Sequence, residues 1–191
     1  MPYRRKEFVA GHYYHVYNRG CNYEPIFSTH DNYIYLLQKV KRLLRKIPLV
    51  IIAYCLMPNH YHFVIRQEGD TPISTFIQRL FLTYTQAYNK QQGRRGPLFE
   101  GRFKCIHIDS DEYVIHLCRY VHLNPVVAGL VSRPEDWPYS NYREWIGLRA
   151  GTLVDHDFVQ TFFRTPEEYV AFVESQIDPQ LEQKLRLYYL E

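Results

Sequence analysis

Paired cysteines are missing from this chain. The four it has, Cys21, Cys55, Cys105 and Cys118, are scattered and form no C-x-x-C pair. That argues against a zinc knuckle or a disulfide framework and for reduced thiols in a cytosolic protein. Long apolar runs are missing too. The longest, Leu49 to Met57, falls far short of a membrane span and reads as a buried strand. No such run follows Met1-Pro2-Tyr3-Arg4-Arg5-Lys6, so no secretory signal is expected. Charge of one sign is scarce: a net charge of +3 does not by itself announce a nucleic-acid partner. Internal repeats and low-complexity tracts are also absent. What survives these exclusions is one medium domain within 191 residues, expected to be cytoplasmic and to have no membrane partner.

Aromatic residues, by contrast, are plentiful. They make up 16% of the chain and 18 of them are tyrosines, a side chain that suits surfaces meeting bases and phosphates and that also fills cores. Phe8 to Tyr17 alternates apolar and polar residues as a strand does, and Asn18-Arg19-Gly20 reads as a turn. Asp31 to Lys46 carries apolar residues near a helical period after possible caps at Ser28 and Thr29, and Pro48 follows it. Leu49–Leu56 and His60–Gln67 read as a hairpin across Met57-Pro58-Asn59. A second helix runs from Thr71-Pro72 to about Lys90, a strand over Phe103 to Ile108, and a third helix from Asp109-Ser110-Asp111 to Asn124-Pro125. Strand–helix–strand twice, joined by a hairpin, is the split βαβ or ferredoxin-like arrangement. The expected fold class is therefore α+β: a four-stranded antiparallel sheet with helices on one face, and an additional helix carrying Tyr120. Beyond Pro134, Tyr142 to Leu148 reads as a short helix and Gly147 to Thr152 as a linker. Thr165–Ser175 and Asp178–Leu190 read as further helices, the Tyr188-Tyr189-Leu190 end suited to packing. The division expected is a main domain over 1–148 and a small helical C-terminal extension over 149–191.

The hairpin carries the most informative tripeptide, His60-Tyr61-His62. Strand side chains alternate faces, so both imidazoles project from one side while Tyr61 points away. Their Cα atoms are about 6–7 Å apart by strand rise, close enough for the rings to share a divalent cation. The tripeptide alone also reads as two exposed strand histidines. Tyr120 and Asn124 are four residues apart, one above the other on a helix. If that helix crosses the histidine face, a phenol, a carboxamide and two imidazoles converge, and the Asn124 amide oxygen completes a three-ligand site with open positions. Such a site polarises a phosphodiester, and Tyr120 is placed to attack phosphorus as a covalent nucleophile. On local grounds Tyr120 reads equally as a packing residue and Asn124-Pro125 as a helix stop. A free phenol has a pKa near 10, so the attack needs a nearby cation or a base.

Met57-Pro58-Asn59-His60-Tyr61-His62, Gly96-Pro97-Leu98-Phe99-Glu100-Gly101-Arg102-Phe103-Lys104, Tyr120-Val121-His122-Leu123-Asn124-Pro125-Val126-Val127-Ala128-Gly129-Leu130-Val131 and the opening Tyr14-His15-Val16-Tyr17-Asn18-Arg19-Gly20 together resemble the single-tyrosine HUH transposases of insertion-sequence type. Within them the resemblance is to the REP-associated tyrosine transposases. It covers about residues 8–148 and implies that 1–148 is the catalytic domain of a metal-dependent single-strand DNA endonuclease and strand transferase. It implies Mg²⁺ or Mn²⁺ held by His60, His62 and Asn124. It implies Tyr120 as the nucleophile that takes the 5′-phosphate and frees a 3′-hydroxyl, with no external energy source. Single-stranded or hairpin DNA is the implied partner. Relatives include both dimers and monomers, so homodimer and monomer both stand open. Val127 departs from the family's usual arginine.

Arg94, Arg95, Arg102 and Lys104 surround a glycine-rich loop and its following strand, and with Arg19 they form the expected DNA-binding surface. Phe99 and Phe103 are candidate stacking residues, and Arg4, Arg5 and Lys6 a second basic contact. His122, two residues past Tyr120, should face away and be structural. His15 and His107 could line the sheet without any assigned chemistry. Two other classes compete: a domesticated hairpin-DNA-binding regulator with little cleavage, and an RNA-binding ferredoxin-like domain that uses an aromatic sheet face.

Overall fold

The computed structural model describes residues 8–175 and 179–186. Arg4, Arg5, Lys6 and Tyr188-Tyr189-Leu190 lie outside them. The strands are β1 (Tyr13–Arg19), β2 (Leu49–Met57), β3 (His60–Gln67) and β4 (Lys104–Ile108). The main helices are α1 (His30–Leu44), α2 (Ile73–Gln91) and α3 (Asp111–Val127). The sheet runs β2-β3-β1-β4 with every neighbouring pair antiparallel, the order of the split βαβ arrangement.

Alternation along β1 and β3 divides two cores. Tyr14, Val16, Tyr61, Phe63 and Ile65 point to one face, where α1 and α2 cover them with Leu36, Val40, Phe76, Leu80 and Tyr84. The opposite face is not open: α3 lies on it, and Val114, Leu117, Cys118 and Val121 pack against Ala53, Cys55, Met57 and Val64. Helices on one face only was therefore too simple. Seven consecutive residues of β2, Ile51 to Met57, are buried, and a strand apolar without alternation is one covered on both sides. A sheet-face RNA binder needs one face bare, which this sheet does not provide.

Three boundaries move for identifiable reasons. β1 begins at Tyr13 because Gly11 turns the chain at φ +79° and donates to Gln67 O at 2.7 Å. It runs on through Arg19, so Asn18 and Arg19 belong to the strand, Gly20 stays extended against Phe99, and the turn falls at Cys21–Tyr23, where Asn22 and Tyr23 take positive φ. A Cβ at Gly20 would lie 2.0 Å from Glu24 O. α3 continues past Pro125 for two residues. Proline gives up one ladder bond in the last turn, and the stop falls at Gly129, φ +68°. There Leu130 N–H reaches Pro125 O and Gly129 N–H reaches Val126 O, both at 2.9 Å, the paired bonds of a Schellman cap.

Among the described residues a 3-10 turn (Pro134–Asp136) and four short α-helices follow: α4 (Tyr142–Trp145), α5 (His156–Phe162), α6 (Pro166–Glu174) and α7 (Pro179–Leu185). Sequence reading did not find α5, although Asp155 caps it by accepting from Phe158 N–H at 3.0 Å. Tyr142, Trp145, Phe158, Phe163, Tyr169 and Val173 from α4–α6 share one apolar cluster with α3 and the sheet. Among the described residues no helix is long and apolar enough to cross a membrane.

Candidate active site

The tight turn Pro58-Asn59 sets the position of the histidines. Pro58 O accepts from Ile26 N–H at 2.8 Å and Phe27 N–H at 3.0 Å, which pins the hairpin tip to the loop before α1. Period two then turns His60 and His62 onto the α3 face, with ring centroids 5.1 Å apart and planes at 86°. His60 Nδ1 lies 2.7 Å from Asn59 Oδ1, and Nε2 lies 2.9 Å from Asn124 Oδ1. His62 is wholly buried. Its Nδ1 meets His15 Nε2 at 2.9 Å, while its Nε2 is buried without a hydrogen-bond partner.

Across from them, α3 presents Tyr120 and, one turn on, Asn124. The Tyr120 ring stands edge-on to His62, centroids 5.5 Å apart at 85°. The helix is braced from behind by His122, which faces away from the site. His122 Nδ1 is 2.6 Å from the Tyr169 hydroxyl and Nε2 is 2.9 Å from Asn141 Oδ1. Asn141 Oδ1 also accepts from Tyr54 N–H at 2.8 Å, so it is the acceptor, and His122 donates from Nε2 and accepts from Tyr169 at Nδ1. This network ties α3 to β2 and α6.

Burial governs the electrostatics. It pushes His62 well below the ordinary imidazole range, and the neighbouring His15 and His60 push the same way. His60 is lowered chiefly by burial; the Asn124 contact opposes that shift and the Arg19 charge adds to it. Both rings are thus held neutral, the form that ligates a metal. A neutral His60 can donate from only one nitrogen. With its proton on Nδ1 toward Asn59, its Nε2 lone pair faces an amide oxygen, a contact that a cation between them converts to attraction. The 2.9 Å separation is also about the spacing of adjacent ligands in an octahedral site with bonds of about 2.0–2.1 Å. The orphaned Nε2 of His62 supplies another donor. Among the described residues no three His, Cys, Asp or Glu side chains group as a metal site, so a divalent ion would need Asn124. Two imidazole nitrogens and one amide oxygen fit a divalent ion such as Mn²⁺ or Mg²⁺ with its remaining positions open to water or phosphate oxygens.

The basic residues separate into two groups. Arg19 pairs with His60 across β1 and β3. Its guanidinium reaches Glu100, with Nη2 to Oε1 at 3.2 Å, and lies 4.3 Å from the Tyr23 ring centre. Lys104 Nζ lies 5.8 Å from the ring of Tyr17, which itself lies 6.0 Å from His62. These two flank the histidines. Arg94 and Arg95 sit in the turn after α2, where Arg94 N–H bonds Asn89 O at 2.9 Å, and Arg102 is exposed just before β4. The glycine-rich loop comes to the site through its far end: Cys21 N–H reaches Leu98 O and Glu100 N–H reaches Arg19 O, both at 3.0 Å. Phe99 is not a free stacking platform, since it packs against Phe81 at 5.0 Å and Tyr61 at 5.9 Å, and Phe103 also joins that core. Val127, one turn past Asn124, is 83% exposed. His15, Asn141 and Tyr169 escaped the sequence as neighbours of the site. For His15 the available signal was that it shares the strand face of Tyr17 and Arg19 on β1.

Residues 8–124 match the family model described as "Transposase IS200 like". An Escherichia coli K12 protein named REP-associated tyrosine transposase is 25% identical over 141 residues, covering 73% of this chain and 81% of its own length. A Haemophilus influenzae protein that carries the same name provisionally is 28% identical over 105 residues, half of this chain, and the match spans 60% of that protein's length. Among solved structures, a REP-associated tyrosine transposase bound to a REP hairpin superposes with a TM-score of 0.62 at 22% identity, covering 81% of this chain and 94% of that one, which establishes a shared fold. With the family model matching well over half of its length, and with relatives of the REP-associated kind, the chain belongs to the IS200-like transposase family.

Proposed function

We propose that this protein nicks and rejoins single-stranded DNA at or beside hairpins, through a covalent link to Tyr120 and with a divalent cation held by His60, His62 and Asn124. The observation that carries the reading is the convergence of four side chains from two distant segments: Tyr120 edge-on to His62, His60 beside it, and Asn124 Oδ1 2.9 Å from His60 Nε2. When bound, the ion polarises the phosphodiester and stabilises the leaving oxygen. Tyr120 loses its phenolic proton and its oxygen bonds phosphorus. The bond from phosphorus to the 3′ oxygen breaks, and that oxygen takes up a proton as the free 3′-hydroxyl. Rejoining runs the same exchange backwards: a 3′-hydroxyl attacks the phosphotyrosine and the phenol is restored, so no external energy source is needed. Arg19 and Lys104 hold the flanking phosphates beside the histidines, with Arg94, Arg95 and Arg102 further along the strand. Hairpin DNA is the substrate proposed because the superposed relative is one bound to a REP hairpin. A single chain supplies all four site residues, and the protein acts in the cytoplasm.

The test is covalent capture. Hairpin oligonucleotides with single-stranded flanks are incubated with protein and Mg²⁺ or Mn²⁺ and resolved on denaturing gels. A protein–DNA adduct that requires metal and disappears in Tyr120→Phe and His60→Ala is expected. Hairpin binding with no adduct under any metal would turn the reading toward a regulator, and an adduct persisting in Tyr120→Phe would move the nucleophile to another tyrosine.

A further inference from the structure

His15 is the buried titratable group beside the site that this chemistry does not use. It sits on β1, wholly buried, its ring edge to edge and nearly coplanar with His62, centroids 5.2 Å apart and planes at 17°, with Tyr17 against it at 4.7 Å. The two imidazoles share one hydrogen bond, His15 Nε2 to His62 Nδ1 at 2.9 Å. Between two neutral rings one nitrogen must donate and the other accept. Were His15 the donor, His62 would carry its own proton on Nε2, which is buried with no acceptor, and a desolvated N–H would stand unsatisfied. With His62 the donor, its proton sits on Nδ1 and Nε2 keeps a bare lone pair, the atom that ligation requires.

We propose that His15 is a positioning residue: it accepts from His62 Nδ1–H and so fixes the tautomer and ring angle in which His62 Nε2 addresses a divalent cation. The proposal rests on the metal-dependent reading above. His15 takes the part usually given to a carboxylate or a backbone carbonyl behind a ligating histidine. A third histidine is thus built into the site without itself touching metal or DNA.

The measurements are Mn²⁺ affinity by calorimetry on DNA-free protein, with adduct formation alongside, for wild type, His15→Gln and His15→Phe. The glutamine amide oxygen reaches the place of imidazole Nε2 and keeps an acceptor there, while phenylalanine fills the space and offers none. His15→Phe is expected to weaken Mn²⁺ binding by about 10–100-fold, and His15→Gln to keep most of it. Nitrogen-15 NMR of histidine-labelled wild type, free of metal and DNA, should show His62 protonated on Nδ1. This readout stands even if His15→Phe fails to fold. A His62 protonated on Nε2, or wild-type Mn²⁺ affinity in a folded His15→Phe, overturns the role of His15 while the nuclease reading survives. A wild type that binds no Mn²⁺ and forms no adduct overturns the nuclease reading itself, and the proposal with it.

Discussion

In the metal-dependent reading proposed above, Asn124 supplies an oxygen where a carboxylate would be the commoner choice, and that decides how the site should respond to substitution. Asn124→Ala removes the oxygen 2.9 Å from His60 Nε2 and is expected to raise the Mn²⁺ needed for half-maximal adduct formation by about 10–100-fold. Asn124→Asp keeps the oxygen and adds charge, so it should lower that requirement; a metal titration of adduct yield separates the two. Val127 bears on DNA instead. It lies three residues past Asn124, 83% exposed, where the family resemblance implies arginine. Val127→Arg should tighten binding of single-stranded DNA uniformly across sequences and steepen the slope of log affinity against log salt by about 0.7, read by anisotropy at several salt concentrations. The residues legible beforehand, His60, His62, Tyr120 and Asn124, are those whose spacing within one strand or one helix places them on one face. His15 and Asn141 were not legible as site neighbours, because their partners His62 and Tyr54 lie far off in sequence and meet them only through strand pairing and a loop crossing.

Element boundaries follow the same division between local and non-local causes. β3 was legible to the residue because its ends coincide with a tight turn and a loss of alternation. The far end of α3 was misjudged since proline is a prominent local stop, whereas the cap that ends the helix is a set of backbone bonds around Gly129. Gly129 adopts φ +68°, and a Cβ placed there would meet nothing within 4 Å, so its constraint is conformational rather than steric. Gly129→Ala should therefore destabilise the protein by about 1 kcal/mol, visible as a lower denaturation midpoint with an unchanged slope, and should leave metal affinity unaltered. The covering of both sheet faces was written in β2, whose buried run from Ile51 to Met57 lacks the alternation of a half-exposed strand.

For the whole molecule, the second core joins helices of the late chain to the back of α3. His122 at its centre is pushed down to about 4 by burial, against the opposing Asn141 contact. In the unfolded chain it titrates near 6.5, so between those values the unfolded state binds the extra proton and the folded state does not. Stability should fall as pH drops from about 6.5 to about 4 and change no further from this group below that, a loss of order 3 kcal/mol; the lowered His60 and His62 add in the same direction. Thermal melts across this range, with His122→Gln showing a shallower decline, check it. The brace on His122 comes from Tyr169, forty-seven positions later in the chain. During synthesis, then, the histidine hairpin and the tyrosine both leave the ribosome well before the hydroxyl that steadies the helix between them. A chain cut short of residue 169 would carry His60, His62, Tyr120 and Asn124 without the hydroxyl that steadies the back of α3.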